Sequence, residues 1–182
     1  MIPTPKYTIS DIENRTDHAE LIGGNLIIED KTSVSHNLAV SEIASALRDH
    51  ISKNGGNCLV LTENVALYCS ELNEDEKGDN YFLPDVMVVC DKNGIKDDGV
   101  HTTPLFVAEI TSEATKRNDY TDKMIVYRNI GVREYWVVDL QKKSVIRYLS
   151  ANEFVPEPFL HPEVMKVHSY PGLSIDLSEF MN

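Results

Sequence analysis

The sequence of 182 residues has few cysteines, little basic charge and no long apolar run. Its three cysteines, Cys58, Cys69 and Cys90, are odd in number and too widely spaced for a CxxC motif, so we expect structural thiols in a reducing compartment. No apolar stretch reaches the roughly 20 residues that span a bilayer. The N-terminal residues also lack the basic-then-apolar order of a signal peptide. We therefore expect a cytoplasmic protein that does not partner with a membrane.

Basic residues are outnumbered by acidic ones, 17 against 29, which gives a formal net charge of -12. Nonspecific nucleic-acid binders draw their affinity from lysine and arginine side chains that neutralise phosphates, so this balance argues against that class. Part of the acidity is concentrated in residues 71–79, ELNEDEKGD, which are typical of a solvated loop between two strands. Without this loop the rest of the chain is less acidic, but it is not basic.

Apolar residues spaced for regular structure make up much of the chain. Hydrophobic residues account for 42% and charged residues for 25% of the sequence, and no linker or internal repeat is visible, which is typical of one globular domain over residues 1–182. Apolar positions recur at three- and four-residue steps from Val34 to about Lys53 and predict a helix. Two short apolar runs around Gly23 and Gly24 predict a β-hairpin.

The other apolar runs predict strands and shorter helices in a mixed order. Helices are expected in ISDIENR and in residues 118–130. Strands are expected in CLVLT, NVALYCS, YFLPDVMVVCD, PLFVAEIT, REYWVVDL and SVIRYL. The run PLFVAEIT is almost continuously apolar, which is typical of a central strand covered on both faces. Because strands and helices do not alternate strictly, we expect an α/β fold with a mixed sheet.

Two acidic residues interrupt these apolar strands. Asp85 follows Pro84 at the start of one strand, and Glu109 lies near the end of another. A buried carboxylate needs a cation, a proton or a hydrogen-bonding partner. Adjacent strands would bring both acids within reach of one Mg²⁺ or Mn²⁺ ion. The alternatives are that the Pro-Asp pair only begins a strand and that Glu109 faces solvent.

A lysine on the helix after Glu109 is the candidate partner of these acids. Asp119, Lys123 and Tyr127 follow one another at four-residue steps, so they share one helical face. We expect this face to point at the cation, where Lys123 could orient the nucleophile or neutralise phosphate oxygens. The alternative is an ordinary solvated ion pair on the helix surface.

Taken in order, these segments resemble a known family. The runs LPDVMVVCD, PLFVAEITSEAT and DYTDKMIVYRNIGVREYWVVD are similar to the signature of the Uma-two family of restriction-endonuclease-like proteins, within the PD-(D/E)xK nuclease superfamily. The run AELIGGNLIIED resembles the hairpin of that family, and SVSHNLAVSEIASAL resembles its entry into the long helix. The resemblance extends from about Glu20 to Asp139.

The resemblance implies a restriction-endonuclease-like fold, with a mixed central β-sheet flanked by helices, and metal-dependent hydrolysis of DNA with Asp85 and Glu109 as metal ligands. The superfamily pattern has a lysine two positions after the glutamate, where this chain has Thr111. The family has its lysine on the next helix, which makes Lys123 the third candidate catalytic residue. The arginine-containing turn that usually follows the first aspartate of that helix is replaced here by DYTD, starting at Asp119.

Three further residues are secondary candidates. By the resemblance, Glu20 could complete the metal shell, or it could be an exposed strand residue. His36 could contact substrate or transfer a proton, but Ser33 and Ser35 beside it at a helix start also fit a capping cluster. Tyr127 could bind a phosphate or Lys123 through its hydroxyl, or it could only pack against the sheet.

Two main classes of function stay open from the sequence. The first is a Mg²⁺- or Mn²⁺-dependent endonuclease that acts on DNA as a homodimer, so that two sites face one duplex. The second is a non-catalytic module of the same fold that binds a partner protein, and the net charge of -12 favours it. A hydrolase that uses the same acids on another ester is a third reading.

Overall fold

The computed structural model describes residues 7–13, 15, 17–28, 31–72, 79–112 and 116–182. Most of the predicted acidic loop, residues 73–78, lies outside this part of the chain. The strands described are β1 (Ala19–Ile22), β2 (Asn25–Ile28), β3 (Leu59–Thr62), β4 (Leu67–Tyr68), β5 (Tyr81–Phe82), β6 (Val86–Val89), β7 (Ile95–Lys96), β8 (Gly99–Val100), β9 (Phe106–Thr111), β10 (Glu134–Asp139), β11 (Ser144–Leu149), β12 (Glu157–Leu160), β13 (Val164–Lys166) and β14 (Ser174–Asp176). The α-helices described are α1 (Ile9–Ile12), α2 (Val34–Lys53), α3 (Lys116–Tyr120), α4 (Asp122–Asn129) and α5 (Ser178–Met181).

Two mixed sheets form the body of the fold. The first, here called the central sheet, has the order β12-β11-β10-β9-β6-β3; β9 and β10 are parallel and the other neighbours are antiparallel. The second, here called the hairpin sheet, begins with the predicted hairpin and has the order β2-β1-β5-β4-β8-β7. Strands β13 and β14 pair separately. The predicted α/β fold with a mixed central sheet is confirmed, and a second sheet accompanies it.

The long helix α2 has the predicted bounds and shares a hydrophobic core with the central sheet. Ile43, Leu47 and Ile51 recur at four-residue steps and are buried in the same core as Val88 and Trp136. Burying one such aliphatic side chain fully contributes about 1.5–3 kcal/mol to folding. This packing fixes the start of α2 beside the end of the sheet at which β6 begins. None of the helices in the described residues, α2 included, is long and apolar enough to cross a membrane.

The opposite face of the central sheet shares a second core with the hairpin sheet and α4. Within β6, Val86 and Val88 belong to the core with α2, whereas Met87 belongs to this second core. In β9, Val107 also belongs to the second core, and Glu109 points to the same face because side chains alternate along a strand. The predicted burial of the central strands on both faces is confirmed.

The run YFLPDVMVVCD, predicted as one strand, is divided between the two sheets. Its first part is β5 of the hairpin sheet and its second part is β6 of the central sheet. Pro84 has no N–H for a strand ladder, and the N–H of Leu83 donates to the side-chain Oε1 of Glu20 at 2.7 Å instead of to a backbone carbonyl. The chain therefore changes sheets at Pro84, and Asp85 is the residue that enters β6.

The helix predicted over residues 118–130 is divided as well, into α3 and α4. Thr121, between them, has φ -125° and ψ -71°, outside the helical range. Its hydroxyl donates to the carbonyl of Arg117 at 2.6 Å. This side-chain bond to a residue four positions earlier competes with regular helix geometry, and the β-branched threonine is a weak helix former.

The cysteines differ from the sequence-based expectation. Cys58 and Cys90 form a disulfide, and Cys69 is buried. The antiparallel register pairs Leu59 with Val89, so the cysteines just outside that pair face each other. The expectation of three structural thiols is therefore wrong for Cys58 and Cys90, because strand pairing brings together residues whose separation in sequence gave no signal.

Candidate active site

Asp85 and Glu109 lie side by side where β6 begins and β9 approaches its end. The register pairs Val86 with Ala108, so Asp85 and Glu109 come next and point to the same face. The N–H of Asp85 donates to Glu109 Oε2 at 3.3 Å, and Asp85 Oδ2 accepts the N–H of Ile110 at 2.7 Å. The predicted proximity of the two acids is confirmed.

Lys123 of α4 reaches these acids from the opposite layer. Its Nζ lies 2.8 Å from Glu20 Oε2, 3.2 Å from Glu109 Oε1 and 3.6 Å from Asp119 Oδ1. The lysine is only 2% exposed. The alternative of a solvated surface pair is therefore wrong, and this helical face lies against Glu109. Its orientation toward a cation stays a prediction.

Glu20 is a buried part of the same group of charges. It is 1% exposed, which rules out the alternative of an exposed strand residue. Its Oε1 accepts hydrogen bonds from the N–H of Leu83 at 2.7 Å and from Lys123 Nζ at 3.0 Å. Glu20 thus connects β1, the crossing between the sheets and α4. Its direct contact with a metal stays a prediction.

Tyr127 supports Glu109 from behind. Its hydroxyl donates to Glu109 Oε1 at 2.7 Å, and the residue is fully buried. Its ring packs against Phe82 and Tyr135, with centroids 5.5 and 4.8 Å away. Tyr127 therefore both packs in the core and makes a polar contact. The partner of its hydroxyl is Glu109, whereas the sequence had suggested Lys123 or a phosphate. Contact between Tyr127 and substrate stays a prediction.

Burial dominates the electrostatics of Glu109. Removal from water raises the pKa of this carboxyl well above its usual range; Lys123 opposes the rise, and Asp85, Asp119 and Glu20 add to it. Burial also raises the pKa of the hydroxyl of Tyr127, and the adjacent Glu109 adds to that shift. The hydroxyl therefore keeps its proton and acts as a hydrogen-bond donor to Glu109.

His36 lies in the first turn of α2 and contacts Asp85. Its Nε2 is 3.0 Å from Asp85 Oδ1, while its backbone N–H donates to the hydroxyl of the N-cap residue Ser33 at 3.1 Å. Both alternatives from the sequence hold in part, because the backbone is in the capping cluster and the side chain is in the acidic group. Contact between His36 and substrate stays a prediction.

Glu63 is a neighbour of this group that the sequence did not reveal. Its Oε1 lies 3.6 Å from His36 Nε2, and its N–H donates to the carbonyl of Asp85 at 3.2 Å. Glu63 directly follows β3, which pairs with β6 through Thr62 and Val86. The sequence did contain one signal for Glu63, because it is a carboxylate directly after an apolar strand, just as Asp85 is a carboxylate directly before one.

A cleft of about 470 Å³ lies between the start of α2 and the end of β10, and several of these side chains line it. Its walls carry charged, polar and apolar side chains: Ile27, Ile28, Lys31, Thr32, Ser33, Ser35, His36, Asp85, Glu109, Ile110, Thr111, Ser112, Asp119, Lys123, Leu140 and Gln141. Asp85 and Lys123 thus both contact Glu109, and all three residues line a cleft that can admit a small molecule or one group of a larger one.

The donor set fits a divalent cation. Carboxylate oxygens are the ligands that Mg²⁺ and Mn²⁺ prefer. Three carboxylates, from Glu20, Glu109 and Asp119, surround the ammonium of Lys123, and Asp85 lies beside Glu109. The carboxylates of this group therefore outnumber its cations, even if His36 is counted as one. A cation bound between Asp85 and Glu109 would offset this excess and the cost of burying Glu109 as an anion.

Comparison with known proteins identifies a family and a similar solved structure. The family model described as "Uma2: Putative restriction endonuclease" matches residues 5–178. A crystal structure from Anabaena variabilis ATCC 29413, described as "a putative nuclease belonging to DUF820", is similar with a TM-score of 0.69 and 17% sequence identity, over 90% of this chain and 89% of the other. No curated protein sequence matches significantly. The structural similarity establishes a shared fold over most of both chains.

Proposed function

Because the chain belongs to the Uma2 family, described as "Putative restriction endonuclease", we propose that it is a metal-dependent endonuclease that hydrolyses phosphodiester bonds of DNA. The observation that carries this proposal is the convergence of Asp85, Glu109 and Lys123 at one cleft. Two adjacent carboxylates can hold a divalent ion for phosphodiester hydrolysis, and a lysine beside them can stabilise charge on the phosphate.

Asp85 and Glu109 are the proposed ligands of Mg²⁺ or Mn²⁺. A bound ion would lower the pKa of a coordinated water and offset charge on the phosphate. Asp85 is oriented by the N–H of Ile110, and Glu109 is oriented by Tyr127 and by the N–H of Asp85. These bonds hold both carboxylates in place before any ligand arrives, which lowers the cost of binding.

Lys123 is the proposed third catalytic residue. Its ammonium lines the cleft 3.2 Å from Glu109 Oε1. There it can hold the attacking water or stabilise negative charge on the phosphate oxygens. Glu20 and Asp119 act as positioning residues for this lysine, because their carboxylates hold it from two further directions. Glu20 can also complete the metal shell if Lys123 moves toward substrate.

DNA is the proposed substrate. Around the acids, the cleft wall includes Lys31, Ser33, Ser35 and Gln141, whose side chains can donate hydrogen bonds to phosphate oxygens. The net charge of -12 disfavours binding to DNA by a single copy. Pairing of two copies does not reduce this charge. We nevertheless propose a homodimer, because two copies would place two sites on one duplex, and we propose that it acts in the cytoplasm.

A non-catalytic binding module is the second candidate, and the same net charge favours it. The two candidates differ in whether Asp85 is needed for cleavage. Purified protein is incubated with supercoiled and linear DNA in Mg²⁺ or Mn²⁺, beside Asp85→Asn and the matched control Asp49→Asn on the exposed face of α2. We expect cleavage by the wild type and by the control, and loss of about 100-fold or more in the Asp85 variant. No cleavage by any variant, or equal cleavage by all, contradicts the proposal.

A further inference from the structure

A second set of candidate ligands lies on the side of Asp85 that faces α2. One ligand atom each from His36, Glu63 and Asp85 lies within 4.8 Å of the other two. We propose that these three residues bind a divalent transition-metal ion such as Mn²⁺ or Co²⁺ in preference to Mg²⁺, with Asp85 shared between this subsite and Glu109. This inference rests on the proposed function only through Asp85, the ligand that the two sites would share.

The spacing of the three ligand atoms matches that around a small ion. Ligands about 2.1 Å from an octahedral ion lie about 3.0 Å apart when adjacent and about 4.2 Å apart when opposite. His36 Nε2 lies 3.0 Å from Asp85 Oδ1 and 3.6 Å from Glu63 Oε1. The ligand atoms of Glu63 and Asp85 lie within 4.8 Å of each other, so a small movement, chiefly of Glu63, brings the three atoms into coordination.

The backbone holds each of the three residues in place. Ser33 caps α2 through the N–H of His36, which fixes the first turn. The N–H of Glu63 is bound to the carbonyl of Asp85 at 3.2 Å. The second carboxylate oxygen of Asp85, Oδ2, is held by Ile110, which leaves Oδ1 directed at His36. The subsite is thus assembled from α2, β3 and β6 by contacts that do not require an ion.

The imidazole is what gives the subsite its preference. Mg²⁺ is bound almost entirely by oxygen, whereas imidazole nitrogen suits first-row transition ions, whose affinity for such sites rises from Mn²⁺ through Co²⁺. The side chain of His36 is 12% exposed and that of Glu63 is 25% exposed, so an ion can enter from solvent and keep bound waters. A site made of Asp85 and Glu109 alone has no reason to prefer Mn²⁺.

A simpler alternative is that His36 only orients Asp85 through a hydrogen bond. Pulsed electron paramagnetic resonance distinguishes the two, because a ¹⁴N nucleus bound directly to Mn²⁺ modulates the spin echo. We expect ¹⁴N modulation in the wild type with Mn²⁺, and its loss in His36→Gln, which can still donate a hydrogen bond to Asp85. His50→Gln, at the other end of the same helix, is the matched control and should keep the modulation.

Affinity gives an independent readout. His36→Gln and Glu63→Gln should each weaken Mn²⁺ binding about tenfold or more, measured from the electron paramagnetic resonance signal of free Mn²⁺. His36→Gln should change Mg²⁺ binding less than twofold. Glu42→Gln, an exposed residue of α2, controls for lost surface charge. Thermal unfolding confirms that each variant is folded, and Glu63→Gln tests the subsite independently if His36→Gln does not fold.

Bound Mn²⁺ without ¹⁴N modulation, or modulation that persists in His36→Gln, overturns this inference. Neither result contradicts the proposed function. That function is tested separately, by whether the protein cleaves DNA in Mg²⁺ and whether this cleavage depends on Asp85. Conversely, ¹⁴N modulation in a protein that cleaves no DNA supports the subsite and contradicts the nuclease proposal.

Discussion

Lys123 Nζ lies 2.8 Å from Glu20 Oε2, although 103 positions separate the two residues and both are almost completely buried. The pair joins the first strand of the hairpin sheet to α4. It also holds a positive charge against Glu109 in the central sheet. The hairpin sheet is therefore part of the site, because without Glu20 the lysine would lose its nearest carboxylate.

Breaking this pair should destabilise the protein strongly. Glu20→Ala leaves Lys123 without its nearest anion, and we expect the free energy of unfolding to fall by about 3–5 kcal/mol. A double-mutant cycle with Glu20→Gln and Lys123→Met, measured by urea denaturation, should give a coupling energy above about 1 kcal/mol. The exposed pair Asp49 and Lys53 is the control, with coupling below about 0.5 kcal/mol. Equally small coupling in both pairs would count against a buried ion pair.

Glu109 should make the stability of the ion-free protein depend on pH. Its pKa is raised by burial, so the folded protein holds this proton more tightly than the unfolded chain. The stability gained is fully present below the unfolded pKa of about 4.3 and is lost as pH rises through the folded value. With EDTA present, Glu109→Gln should therefore lose less stability than the wild type as pH rises from about 4.3, and Glu42→Gln should follow the wild type. Parallel curves for Glu109→Gln and the wild type would refute this.

Removing the hydroxyl of Tyr127 should loosen Glu109 without emptying the core. Tyr127→Phe keeps the ring contacts with Phe82 and Tyr135 but loses the bond to Glu109 Oε1. We expect the free energy of unfolding to fall by about 1 kcal/mol. We also expect Mg²⁺ binding, measured by calorimetry, to weaken about 10–100-fold. Tyr148→Phe, in the same aromatic core, is the control. Unchanged Mg²⁺ affinity in Tyr127→Phe would show that the hydroxyl does not position the ligand.

The N-cap of α2 should matter beyond the helix itself. Ser33→Ala removes the acceptor for the N–H of His36 and should cost about 1 kcal/mol in thermal or urea unfolding. Ser45→Ala, at an exposed position inside α2, should be neutral or slightly stabilising because alanine has the higher helix propensity. Equal effects of the two substitutions would mean that the cap contributes nothing.

The acids in apolar strands were predictable from the sequence because burying a charge is costly. Asp85 and Glu109 stood out for this reason, and their proximity followed from neighbouring strands. The face shared by Asp119, Lys123 and Tyr127 followed from their four-residue spacing, and the break at Thr121 leaves that face intact. The sequence did not predict this break, which the structure explains by the hydrogen bond of the Thr121 hydroxyl.

Other contacts that depend on strand register were not predicted from the sequence, although the position of Glu63 directly after an apolar strand was one available signal. Glu63 meets His36 and Asp85 only because β3 and β6 pair in one register, and Cys58 meets Cys90 for the same reason. The choice of Glu20 as the partner of Lys123 likewise depends on the hairpin sheet folding over α4. Propensity and periodicity predict elements, whereas these contacts depend on how the elements are arranged.

The most direct test of a cation on Asp85 and Glu109 is the anomalous difference density of a crystal soaked in Mn²⁺. The account predicts a peak within about 2.1–2.4 Å of carboxylate oxygens from both residues, with the ammonium of Lys123 nearby. The same peak should be absent from Asp85→Asn crystals. Density that is missing from the wild type, or a peak that stays at full height in the variant, would contradict the account.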